Sequence, residues 1–148
     1  MTPRMNVIPP KVHGVIDYLV AALLIAAPWL FGFSDDPAAT WVTVAFGAGA
    51  VLYSVITDYE LGLFRLLAMR THLAIDVVWC LLLLASPWLF GFADRIWWPH
   101  VGVALAGLAV TALTWGAPAK AGEPPLGEKK MWSRSRATLA REPKTEVA

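Results

Sequence analysis

His13 and Asp17 are four residues apart, and so are His72 and Asp76. Residues at this spacing share one face of a helix, so each pair would present an imidazole beside a carboxylate. Four such groups brought together could ligate a metal ion, relay a proton, or tie helices to one another. The surroundings sharpen the question, because residues 18–33 and 77–93, which follow the two pairs, carry no Asp, Glu, Lys or Arg. Ionisable groups drawn into the edge of a membrane are costly and are often kept for function. Against that, both aspartates fall in the first turns of the helices expected here, where the positive end of the helix dipole favours a carboxylate. The structural reading is preferred: His13, Asp17, His72 and Asp76 are candidate polar pairs that sit at the interface and hold helices together. Proton or ion transfer through Asp17 and Asp76 is the alternative. No catalytic residue, cofactor or metal is expected, and no HExxH, GxSxG, P-loop or dinucleotide fingerprint occurs.

The two pairs belong to a duplication. The first copy runs on to Ala27-Pro28-Trp29-Leu30-Phe31-Gly32-Phe33, the second to Ser86-Pro87-Trp88-Leu89-Phe90-Gly91-Phe92. Between His13–Asp35 and His72–Asp94, 13 of 23 positions are identical. That is far above chance and marks a repeated unit.

The chain is 57% hydrophobic and only 16% charged, and residues 37–57 and 96–119 form two further uncharged runs. A bilayer core of about 30 Å requires about 20 apolar residues in a helix. Backbone in lipid must satisfy its own hydrogen bonds, so the four runs should be helical. Strand-like alternation is absent, which argues against a barrel. The expected fold is an all-α membrane protein, with four transmembrane helices forming two tandem parallel helical-hairpin repeats. Residues 1–11 form an N-terminal arm, 12–57 the first repeat, 58–71 a connection, 72–116 the second repeat and 117–148 a disordered tail. Within the connection, Leu61, Phe64, Leu67 and Ala68 recur at helical spacing, which predicts a short helix lying on the membrane surface. An extension of the second helix is the alternative. Thr71 is the expected N-cap of the third helix. The first apolar run reads as a retained helix and not a cleaved signal, because its sequence recurs inside the chain.

Eleven of the twelve basic residues fall in the arm, the 58–71 connection and the tail, leaving Arg95 alone in the hairpin turns. The positive-inside rule then puts both termini in the cytoplasm. A formal net charge of +1 offers no field for nucleic acid. The expected partners are the lipid bilayer and either a homo-oligomer or a larger membrane complex. Ala45 with Gly49, and Gly102 with Ala106, place small residues where helices could approach closely. Cys80 reads as a small buried hydrophobe.

Pro28 and Pro87 each remove one helical hydrogen bond and should kink the first and third helices. Ser86 could return a hydroxyl to the freed backbone, although Ala27 stands in its place in the first copy. Gly32 and Gly91 are suited to end those helices in a left-handed cap. Trp29, Trp88, Trp41, Trp97 and Trp98 fall at one level and predict an aromatic belt at the headgroups. A ligand pocket lined by these rings is the alternative, and His100 is expected to be an interfacial side chain.

The repeated motif of Ala27, Pro28 and Trp29, then Ser86, Pro87 and Trp88, each followed by Leu-Phe-Gly-Phe, resembles the SPW repeat family of small bacterial integral membrane proteins. The resemblance covers about residues 12–114 and departs only in reading Ala27 for serine. It implies a motif in the first helix of each two-helix repeat and a place in the bacterial cytoplasmic membrane, and it implies no activity. The functional expectation is a non-enzymatic scaffold or accessory subunit.

Overall fold

The computed structural model describes residues 8–115. Most of the expected arm and the expected tail at 117–148 lie outside these. Among the described residues four helices follow one another: α1 (Pro10–Leu30), α2 (Pro37–Ile56), α3 (Met69–Leu89) and α4 (Trp98–Thr114). Pro10 and Pro37 open α1 and α2, where a missing N–H costs nothing and φ is already helical. Asp36 caps α2 by accepting the Ala39 N–H at 3.0 Å.

α1 and α3 end alike. Gly32 and Gly91 both have φ of +72°, the left-handed conformation that glycine adopts without strain. This folds the chain back so that the Phe33 N–H reaches the Pro28 carbonyl at 2.9 Å, and the Phe92 N–H reaches that of Pro87 at 2.9 Å. The serine hydroxyl also behaves as expected: Ser86 Oγ donates to the Leu83 carbonyl at 2.8 Å.

α1, α2 and α3 are long and apolar enough to cross a membrane, whereas α4 is apolar but only 17 residues long. α1 packs mainly along α2, and α3 mainly along α4, with smaller α1–α4 and α2–α3 contacts. Ala27, Phe33, Ala39 and Phe92 fill the end of the bundle near the two short turns. Leu24, Leu83 and Ala104 fill its middle. At the other end Tyr59, Met69 and Leu73 close the core. Arg95 Nη2 joins the two turns, donating to both carboxylate oxygens of Asp35 at 2.8 and 2.9 Å.

Three expectations are corrected. The 58–71 segment forms neither a surface helix nor an extension of α2. It opens and closes on a two-residue parallel pairing of β1 (Thr57–Asp58) with β2 (Leu67–Ala68). The Leu63 and Phe64 N–H groups donate to the Val55 carbonyl, and the Leu66 N–H to that of Ile56. The loop therefore satisfies carbonyls that the end of α2 leaves open, and this overrides its helical spacing; Leu63, Phe64 and Leu66 stay exposed. Second, Ala68 and not Thr71 stands at the N-cap of α3, which begins at Met69. Third, neither α1 nor α3 has an acidic residue in its first turn. Asp17 and Asp76 each lie a further turn in, so the helix dipole is not what holds them.

Candidate functional site

Asp17 and Asp76 are instead held by the histidines of the opposite repeat. His13 Nε2 lies 3.0 Å from Asp76 Oδ2, and His72 Nε2 lies 3.1 Å from Asp17 Oδ2. Within each helix the approach is slightly longer, 3.3 Å from His13 Nε2 to Asp17 Oδ1 and 3.4 Å from His72 Nε2 to Asp76 Oδ2. The two imidazoles meet edge to face, with centroids 5.5 Å apart. His13, His72 and Asp76 are buried, and the Asp17 side chain is 13% exposed. All four candidate polar pair residues thus converge on one centre between α1 and α3. The pairing is crosswise: exchanging 13 with 72 and 17 with 76 reproduces it.

Two threonines decide which ring nitrogens carry protons. Thr57 Oγ1 donates to the Tyr53 carbonyl at 2.6 Å and also lies 2.8 Å from His72 Nδ1. A hydroxyl has one proton, and it is already committed to the carbonyl, so Nδ1–H must donate to Oγ1. Thr114 repeats the arrangement for His13, donating to the Val110 carbonyl at 2.8 Å and accepting from His13 Nδ1 at 2.9 Å. Both rings are therefore fixed with Nδ1–H outward, and both Nε2 atoms face the carboxylates. Tyr53 breaks the symmetry: its hydroxyl donates to Asp76 Oδ1 at 2.8 Å.

A second polar contact lies nearer the short turns. Thr43 Oγ1 donates to the Ala39 carbonyl at 2.6 Å, so the 2.8 Å contact with His100 Nε2 has the ring donating to the hydroxyl. His100 is 1% exposed and packs between the rings of Phe33 and Phe92. The expected interfacial placement of His100 is thus corrected: α4 begins at Trp98, and its first turn carries His100 inward. The apolar Leu24, Leu83 and Ala104 separate this layer from the His–Asp centre. A cavity of about 80 Å³ lies between them, reaching Asp17, Asp76 and Tyr53 at one end and Leu24 and Leu83 at the other.

The motif residues divide. Ala27, Pro28, Ser86 and Pro87 are buried, whereas Trp29 and Trp88 turn 64% and 60% of their surface outward. Trp41, Trp97 and Trp98 are also exposed, which suits a lipid-facing belt and not a pocket. Sequence reasoning overlooked Thr57, Thr114 and Tyr53. A signal was present, since Thr57 and Thr114 stand 57 residues apart, the spacing that also relates Ala45 to Gly102 and Gly49 to Ala106.

A family model for the SPW repeat domain matches residues 11–115. No curated protein and no solved structure matches the chain.

Proposed function

The chain belongs to the SPW repeat family, and we propose that it serves as a non-enzymatic scaffold or accessory subunit in the bacterial cytoplasmic membrane. In this reading all four helices span, as two tandem parallel hairpins with both termini cytoplasmic. α4 is short for a span, at about 1.5 Å per residue, but Trp98 and Trp115 stand at its two ends, where interfacial tryptophans belong.

The observation that carries the proposal is the crosswise His–Asp clasp. It ties the two helix pairs into one body at its most polar point, while Leu19, Leu52, Val78 and Leu105 present apolar surface outward. A second reading, a proton-conducting unit, draws on the cavity beside Asp17 and Asp76. The apolar layer of Leu24, Leu83 and Ala104 weighs against it, because a proton path needs continuous polar partners.

Reconstituted vesicles under a pH gradient separate the two. The scaffold reading expects flux no greater than in empty vesicles, and a homo-oligomer or stoichiometric partner on purification in mild detergent. Flux that Asp17→Asn with Asp76→Asn abolishes in a stably folded protein would overturn it. Reporter fusions at Ser34 and Asp94 should register outside and one at Leu63 inside; an inside signal at Ser34 would reverse the orientation.

A further inference from the structure

The clasp has a charge problem that hydrogen bonding alone does not solve. With Nδ1–H fixed outward on both rings, the centre holds two Nε2 positions facing two carboxylates. Each Nε2 has both carboxylates within 3.4 Å, yet a protonated Nε2 has one hydrogen and can serve only one of them well. Two uncompensated carboxylates cannot remain in a buried, apolar setting. Either two protons are shared among the four groups, or one divalent cation replaces them.

We propose that His13, Asp17, His72 and Asp76 bind a single divalent first-row transition ion of the Zn²⁺ class, through the two Nε2 atoms and one oxygen from each carboxylate. The four ligand atoms lie within 4.8 Å of one another. With Asp17 Oδ2 and Asp76 Oδ2 as the two oxygens, the nitrogen–oxygen separations of 3.0, 3.1 and 3.4 Å bracket the edge of a tetrahedron with bonds of about 2.0–2.1 Å, which is about 3.3 Å. Two carboxylates neutralise the ion's charge, so the filled centre is neutral at a depth where a net charge is costly.

The groups around the centre also suit ligation. Metal-bound histidines donate their remaining N–H to a fixed acceptor, and bound carboxylates are themselves hydrogen-bonded. Thr57 and Thr114 supply the first feature, and Tyr53 supplies the second by holding Asp76 Oδ1. Nitrogen with carboxylate oxygen selects a borderline ion over Mg²⁺ or Ca²⁺, and tetrahedral four-coordination selects Zn²⁺. The ion would join α1 to α3, strengthening the clasp whatever the chain docks onto.

The test uses full-length protein in mild detergent, stripped with chelator and then titrated with Zn²⁺ by calorimetry and with Co²⁺ by visible absorption. The expected result is one ion per chain, a higher melting temperature with Zn²⁺, and the intense visible bands of tetrahedral Co²⁺. Asp17→Asn and His72→Gln should abolish binding. Thr57→Val, which leaves all four ligands in place, should weaken it about 10–100-fold. Circular dichroism of each variant separates loss of ligation from loss of folding, and Thr57→Val is the reporter if either ligand variant unfolds. A stripped, folded, monodisperse parent that takes up neither ion would overturn the proposal and leave two shared protons in the centre. So would equal uptake by the parent and the folded Asp17→Asn variant. Neither result touches the scaffold reading, which stands or falls on flux and partner capture.

Discussion

Replacing Thr57 with valine keeps the shape of the side chain and removes one hydroxyl that is doing two tasks. Thr57 is 0% exposed, so no water can take over. The His72 Nδ1–H loses its acceptor at 2.8 Å, and the Tyr53 carbonyl loses its donor at 2.6 Å. Hydrogen bonds between membrane helices average only about 0.6 kcal/mol when their groups can trade partners. A buried donor left without any partner costs more, about 1–3 kcal/mol. The second figure applies here, because the ring's other nitrogen is committed to Asp17. Thr114→Val should cost as much, since Thr114 is equally buried and holds His13 at 2.9 Å. Reversible unfolding in mixed detergent micelles, followed by circular dichroism, measures both, and ¹⁵N chemical shifts of the imidazoles report the protonated nitrogen directly. Losses below about 0.5 kcal/mol in both single variants, or a parent spectrum with Nδ1 unprotonated, would refute the argument that these hydroxyls fix the rings.

Gly47→Ala places a methyl carbon 2.8 Å from both the Ala21 carbonyl oxygen and Ile25 Cγ1; it should prise α2 from α1 and cost about 1–3 kcal/mol. Gly102→Ala meets nothing within 4 Å and should be neutral or stabilising by up to about 1 kcal/mol in the same unfolding assay. Asp76→Asn should lose more stability than Asp17→Asn, because Asp76 also accepts from the Tyr53 hydroxyl; the double variant should still fold and insert, losing about 1–2 kcal/mol. The Arg95 hydrogen bond holds the Asp35 carboxyl below its ordinary value, so the pair's contribution is present above pH of about 4 and fades as pH falls through the lower folded value. Unfolding of Arg95→Ala compared with the parent at neutral pH and near pH 2 should show a small difference that vanishes in acid.

The helices were legible because length and absence of charge are nearly sufficient to specify them in lipid. The glycine caps were legible too, since Gly32 and Gly91 follow identical Pro-Trp-Leu-Phe runs. The polar centre was half legible: the i,i+4 spacing identified its four members, but not that His13 would reach Asp76 and His72 would reach Asp17. That exchange depends on how α1 lies against α3, which no local pattern encodes. The 58–71 segment failed for the same kind of reason. Its periodicity is local, while the bonds that shape it run to the end of α2. The small-residue pattern drew notice to Gly102, which faces open space, and missed Gly47, which sits against α1.

Duplication is what makes the centre affordable in a membrane. In one repeat alone, His13 and Asp17 could face each other, but the His13 Nδ1–H would lack Thr114, and Thr57 would lack a ring to receive. Each unmet group in a hydrocarbon setting costs several kcal/mol. The second copy supplies every missing partner at once, because its own unmet groups are the same ones. Thr43 and His100 extend the logic to the other end of the bundle. They stand 57 residues apart, like Thr57 and Thr114, and bond to each other at 2.8 Å. Here the two copies have diverged into an acceptor and a donor, a pairing that two threonines could not make while each hydroxyl proton is held by its own helix. His100 Nδ1 has no hydrogen-bond partner among the described residues, so this layer is satisfied on one side only. In the His–Asp centre, by contrast, both ring nitrogens of His13 and of His72 have partners, and those contacts join the two halves.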